Sequence, residues 1–343
     1  MTAVTVALDW TPNTNHAGFY VALNRGYYKA ANLNVIFLNP AQDAYKSTPA
    51  SRVANGQATF AVAPSETVVS YNCQPKSSAK PHLQSVAALL QSDTSAIVTL
   101  QSSGLDRPRK LDGKTYASYG ARYEGRIVQQ MIKNDGGKGE YTEATPPMLG
   151  IWETVLAGKA DATWVFMGWE GIEAKRKGIK LNAFSLEDFD IPYGYSPVLV
   201  TTQDILREQG ETVRSFLAAT TRGYQYAAEA PEAAGELMCQ TVTEQHDTPL
   251  DVGWVVDSMQ MLSEHFLTKD GLWGVQDKTR WERFLDWLSD RQLLTTSVQS
   301  RKKVKSVTAS LDDLRSGKAG EIIPRNSLSS DALFTNAFLP QGR

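Results

Sequence analysis

The first 38 residues constrain the fold more than any other part of this chain. Val4 to Leu8 alternates like a strand, and Asp9-Trp10-Thr11-Pro12-Asn13-Thr14-Asn15-His16 follows as a polar loop punctuated by Pro12. Ala17 to Arg25 then sets Phe19, Tyr20 and Leu23 at helical spacing, Gly26 ends that run, and Asn34 to Leu38 is strand-like again. Strand, helix, strand in this order is a βαβ unit, which pairs its strands in parallel through a crossover helix. The pattern recurs, with 50–55 helical, Thr59 to Ala63 strand-like and Glu66 to Tyr71 helical. The fold class is therefore α/β, with a parallel sheet flanked by helices.

Further strands are expected at Thr94 to Leu100, at Leu111 to Tyr119, at Ala160 to Phe166 and at Ser196 to Thr202. After that the chain turns helical. Val213, Phe216, Leu217, Thr220, Tyr224 and Ala227 share one face, as do Trp281, Phe284, Leu285 and Leu288, so the last third reads as packing helices with little chemistry. At about 150 residues per domain, 343 residues fit roughly two domains. If the strands near 94–100 and 196–202 each cross between two lobes, residues 1–93 plus 202–343 form lobe one and 94–201 form lobe two. Such a double crossover leaves a hinged cleft.

Charge and composition remove several function classes. Lys and Arg total 35 against 37 Asp and Glu, and no segment gathers basic residues, so nucleic acid is not an expected partner. A hydrophobic content of 42% with 21% charged residues fits a packed core and excludes a disordered chain. No apolar run approaches the roughly 18 residues a membrane helix needs. Cys73 and Cys239 read as two unpaired thiols. As written, the chain is expected in the cytoplasm, or in the periplasm or outside the cell if a signal peptide has been removed.

Ligands of open α/β sheets sit beyond the carboxyl ends of strands, so the loops after Leu8, Ala63, Tyr119 and Phe166 are where function is sought. Loop one offers Asp9, Trp10, Asn13 and His16: a flat apolar face, a carboxylate, an amide and a titratable ring. That set suits a polar heteroaromatic ligand, with Trp10 stacking and Asp9 or Asn13 pairing with ring substituents; the plainer alternative makes Trp10 core and Asn13 a turn residue. In loop two, Ser65 and Glu66 open a helix, and Ser65 either caps it or presents its hydroxyl. Loop three, with Tyr119, Gly120, Arg122 and Glu124, has the free amides of an anion-binding nest. Loop four places Trp169 and Glu170 at a strand-to-helix junction, to close a ring sandwich or to pack and favour the helix dipole. Tyr193 and Tyr195 would line the hinge at the second crossover. The four histidines show no metal spacing, and CxxC, GxSxG and both nucleotide fingerprints are missing, so no catalytic or metal-binding residue is assigned.

Five stretches carry a resemblance: Leu8 to His16, Gly26 to Lys29, Gly168 to Glu173, Tyr195 to Leu199 and Phe334 to Pro340. They resemble the thiamine-pyrimidine family, which includes bacterial substrate-binding proteins of formylaminopyrimidine uptake and the fungal synthase of the thiamine pyrimidine phosphate. The resemblance implies a type II periplasmic-binding-protein fold whose cleft takes a small aminopyrimidine, with an ABC transporter as partner if the chain is secreted. The synthase branch implies a reactive lysine and histidine after the segment matching Gly56 to Val62, and a cysteine-rich run near Tyr193 to Val200. This chain has Ala63 and Thr67 at the first place and no cysteine at the second, so the binding branch, without a cofactor, is the better match. The alternatives are synthesis of hydroxymethylpyrimidine phosphate from pyridoxal phosphate by other residues, with His16 as base or donor, and binding of a different small molecule on the same fold.

Overall fold

A computed structural model describes residues 1–74, 81–296 and 320–340. The strands are β1 (Thr2–Ala7), β2 (Leu33–Leu38), β3 (Phe60–Ala63), β4 (Leu83–Ala88), β5 (Ser95–Leu100), β6 (Thr115–Ala117), β7 (Thr142–Ala144), β8 (Ala162–Phe166), β9 (Leu181–Phe184) and β10 (Val198–Thr202). They form two five-stranded sheets, in the orders β2-β1-β3-β10-β4 and β7-β6-β8-β5-β9. Around them run α1 (Ala17–Asn24), α2 (Tyr27–Ala30), α3 (Pro49–Ala54), α4 (Ser65–Asn72), α5 (Glu124–Asn134), α6 (Ile151–Leu156) and α7 (Ile172–Arg176). The last third adds α8 (Gln203–Glu208), α9 (Gly210–Glu229), α10 (Pro231–His246), α11 (Val252–Leu262) and α12 (Lys278–Asp290). This is the two-lobed α/β architecture of type II periplasmic binding proteins.

The βαβ expectation holds where its period was clearest: β1 pairs in parallel with both β2 and β3. Neither sheet is purely parallel, however. β10 runs antiparallel between β3 and β4, and β5 runs antiparallel between β8 and β9. The crossings also differ from the expectation. β5 lies wholly in the second sheet and β10 wholly in the first, so the chain passes between sheets in the irregular segments 89–94 and 185–197. The expected boundary at 201/202 thus falls inside β10, because a short apolar strand looks the same whichever sheet it joins. Of the expected lobe-one span, residues 75–80, 297–319 and 341–343 lie outside the described residues.

Packing explains why the terminal helices cling to the first sheet. The α9 face named from the sequence is buried in full, and Phe216 stacks against Phe60 of β3 at 4.6 Å and against Tyr28 of α2 at 5.3 Å. α9 comes unusually close to α1 because Gly18 and Gly223 meet there: a Cβ on Gly223 would lie 2.0 Å from the Gly18 carbonyl oxygen. Phe334 continues the edge of the first sheet, bridging Ser85 of β4 and stacking on Trp281 at 5.8 Å. Cys73 and Cys239 are free and buried. No helix among the described residues is long and apolar enough to cross a membrane.

Candidate functional site

The loops at the carboxyl ends of β1, β3, β6 and β8 meet in the seam between the sheets. Trp10 of loop one and Tyr119 of loop three touch across it, ring centroids 5.7 Å apart at 76°, and Tyr45 packs on Trp10 at 5.5 Å. Both Trp10 and Tyr119 remain half-buried.

Loop one is rigid because its polar groups satisfy one another. The Asn13 carboxamide accepts from the Asn15 N–H and donates to the Thr11 carbonyl, so its amide is spent on the turn. His16 Nδ1 accepts from the Asn13 N–H at 3.3 Å, which places the ring proton on Nε2, 2.7 Å from Asp9 Oδ1. His16 is fully buried with both nitrogens engaged; it braces Asp9 and has no nitrogen left for proton transfer. Asp9 itself stays half-buried, its side chain 19% exposed.

Loop three corrects the anion-nest expectation. Gly120 takes the left-handed conformation at φ 68°, and its N–H donates to Ser118 Oγ. The N–H groups of Tyr119 and Ala121 donate to the two oxygens of Glu124, whose carboxyl also accepts from the Tyr116 hydroxyl. The nest is therefore filled by the chain's own carboxyl, since Glu124 opens α5 three residues after Ala121 and folds back onto the loop. Arg122 is likewise occupied, donating to the Thr295 carbonyl at 2.7 Å and hydroxyl at 2.5 Å and leaning on Ser70.

Ser65 does not cap α4, which begins with it. Its N–H donates to the Tyr195 carbonyl and its hydroxyl accepts from the Tyr195 N–H, tying loop two to the second crossing. Tyr195 is buried, with its hydroxyl accepting from the Asp277 N–H and Arg280 over its ring, so it braces the second crossing. Loop four closes β8 with a wide turn in which Trp169 stacks face to face on Trp254 at 4.0 Å, and Trp254 donates to the Trp169 carbonyl. Ser258 joins the Gly168 carbonyl to the Thr14 hydroxyl, linking loops four and one through α11. The terminal helices therefore contribute to the seam, against expectation. Trp254 and Ser258 were missed because each sits at helical spacing on an ordinary amphipathic helix, with no local signal of a partner 85 or 90 residues away.

The seam gathers buried acidic groups. Burial pushes Glu66 up to about 8, with Glu124 adding to the rise and Arg122 opposing it. Burial pushes Glu170 up to about 7, against hydrogen bonds from its own N–H and that of Phe166 and with Glu173 and Glu153 adding to the rise. Glu124 and Asp93 are raised by burial as well. Glu66 Oε2 is buried with no hydrogen-bond partner among the described residues, and so is the Tyr123 hydroxyl. Two shallow depressions of about 550 and 560 Å³, near Gln84 and Phe334 and near Gln101 and Lys180, lie elsewhere on the surface. No group of three or more His, Cys, Asp or Glu side chains among the described residues is arranged to hold a metal ion. The four loops carry no lysine to condense with an aldehyde cofactor.

The family described as NMT1/THI5 like matches residues 13–234, and the chain belongs to it. The chain is 26% identical over 306 residues to the formylaminopyrimidine-binding protein of Halalkalibacterium halodurans, covering 89% of this chain and 90% of that one. It is 24% identical over 283 residues to the 4-amino-5-hydroxymethyl-2-methylpyrimidine phosphate synthase of Legionella pneumophila, covering 79% and 83%. Among solved structures, the periplasmic nitrate-binding protein of Synechocystis superimposes with a TM-score of 0.60 at 12% identity, over 98% of this chain and 87% of that one.

Proposed function

From that family membership we propose that this chain is a binding protein for an unphosphorylated thiamine-type aminopyrimidine, of the formylaminopyrimidine or hydroxymethylpyrimidine kind, held in the seam between the sheets. The observation that carries it is the combination of the Trp10–Tyr119 ring pair with the buried, raised carboxyls of Glu66 and Glu170. Flat rings stack on aromatic faces, and amino substituents donate to carboxyl oxygens. An anionic ligand would meet buried acidic groups and a nest whose amides are already taken. The full-length likeness to a formylaminopyrimidine-binding protein supports the same ligand class.

Trp10 offers a face for the ring with Tyr119 edge-on beside it, Asp9 and Glu170 accept from its substituents, and Trp169 holds loop four in place. The role is in thiamine biosynthesis or salvage and invokes no cofactor. An ABC-type importer is the partner where the chain works outside the cytoplasm. Calorimetric titration with formylaminopyrimidine, hydroxymethylpyrimidine, hydroxymethylpyrimidine phosphate and pyridoxal phosphate tests this. Saturable binding of a bare pyrimidine, with the two phosphates at least tenfold weaker, is expected. Tighter binding of either phosphate overturns the proposal.

A further inference from the structure

A buried carboxyl without a partner is expensive, by roughly 1–3 kcal/mol for an unsatisfied polar group, so a fold that keeps one usually has a use for it. Glu66 is 5% exposed, and its Oε2 lacks a hydrogen-bond partner among the described residues. Its place is set by its neighbour: the double hydrogen bond between Ser65 and Tyr195 pins the first turn of α4 to the second crossing. Tyr193 of that crossing, and Arg122, Tyr123 and Glu124 of the second sheet's loop three, interact electrostatically with Glu66, while Cys73 lies at the far end of α4 itself. Asp93 of the first crossing also acts electrostatically on Tyr193. Arg122, the one cation in this group, is held by Thr295 and does not hydrogen-bond Glu66. Beside Glu66 the buried Tyr123 hydroxyl is also unpartnered. Two orphaned polar atoms, one from each sheet's loops, thus flank the seam.

Resting on the ligand class proposed above, we infer that Glu66 is the specificity-determining contact for the ligand's amino edge: its protonated carboxyl donates to the ring nitrogen and accepts from the adjacent amino group. An aminopyrimidine presents an acceptor nitrogen next to an N–H donor, and a neutral carboxyl presents the complementary O–H and C=O in one fork. A carboxylate offers two acceptors and opposes the nitrogen lone pair. Binding therefore tracks the protonated form, and Glu66 keeps its proton to about pH 8 because it is buried beside Glu124.

The test is titration of hydroxymethylpyrimidine into the wild-type protein, Glu66→Gln and Glu66→Leu, from about pH 6 to about pH 9.5. Wild-type affinity is expected to hold at low pH and to fall toward tenfold per pH unit above about pH 8, the limit for losing one proton. Glu66→Gln keeps a donor and an acceptor, so it is expected to bind near the wild-type level at pH 6–7 and to show no such fall. Glu66→Leu is expected to lose about tenfold or more. A Glu66→Leu affinity equal to wild type, or the same alkaline fall in Glu66→Gln, overturns the role of Glu66 while leaving the ligand class standing. Wild-type protein that binds no aminopyrimidine overturns both.

Discussion

Glu66 also makes a stability prediction that needs no ligand. Its carboxyl ionises near 4.5 in the unfolded chain and near 8 in the folded one, because burial penalises the charged form. Below about pH 4.5 both states hold the proton and the residue adds no pH dependence. Between there and about pH 8 the unfolded state binds fewer protons than the folded state, so stability falls as pH rises, by at most about 1.4 kcal/mol per pH unit. At pH 7 the accumulated loss is about 3 kcal/mol, and above about pH 8 it levels off. Glu66→Gln removes the ionisable group and keeps the shape. The variant is expected to match wild type near pH 4 and to exceed it by up to about 3 kcal/mol at pH 7. Urea unfolding of both proteins at several pH values measures the difference directly. Glu170 is pushed to about 7 and slopes the same way, but it is present in both proteins and cancels. A variant less stable than wild type at pH 8 would show that Glu66 is ionised and paired with Arg122, and would refute the account of a protonated carboxyl.

Three further substitutions probe the scaffold and the seam. Gly223→Ala gains about 1 kcal/mol of helix propensity but drives a methyl into the Gly18 backbone, which cannot move aside as a side chain does. A net loss of about 2 kcal/mol or more is expected, read as a fall in Tm; a neutral result would mean that α1 and α9 separate freely. Trp10→Ala removes the ring that meets Tyr119, and aminopyrimidine affinity is expected to drop about fivefold to tenfold, unchanged affinity by calorimetry excluding a stacking role. Trp254→Ala uncovers one face of Trp169 and deletes the hydrogen bond to its carbonyl; a stability loss of about 1–3 kcal/mol in urea is expected, with a red shift of tryptophan emission as Trp169 meets water.

Those residues also mark how far the sequence could be read. Elements with a clean period were legible: the β1–α1–β2 unit and the buried face of α9 follow from spacing alone. β4 was not, because Leu83–Ala88 is buried on nearly every side chain and so has no alternation to detect. Strand direction was not legible either. β10 reads as an apolar run, and only its pairing partners make it an antiparallel member of the first sheet. The site shows the same division between residue type and residue partner. The rule that ligands gather at strand carboxyl ends picks out four loops, and the structure brings Trp10 of the first against Tyr119 of the third. What each polar group does depends on contacts remote in sequence. Ser65 is spent on Tyr195, 130 positions away, and Arg122 on Thr295, 173 positions away. The glycine-bearing loop with free amides reads as an anion receptor until Glu124 is seen to fill it. What separates the two readings is one carboxyl, that of Glu124, which opens α5 three residues after Ala121 and takes the amides of loop three.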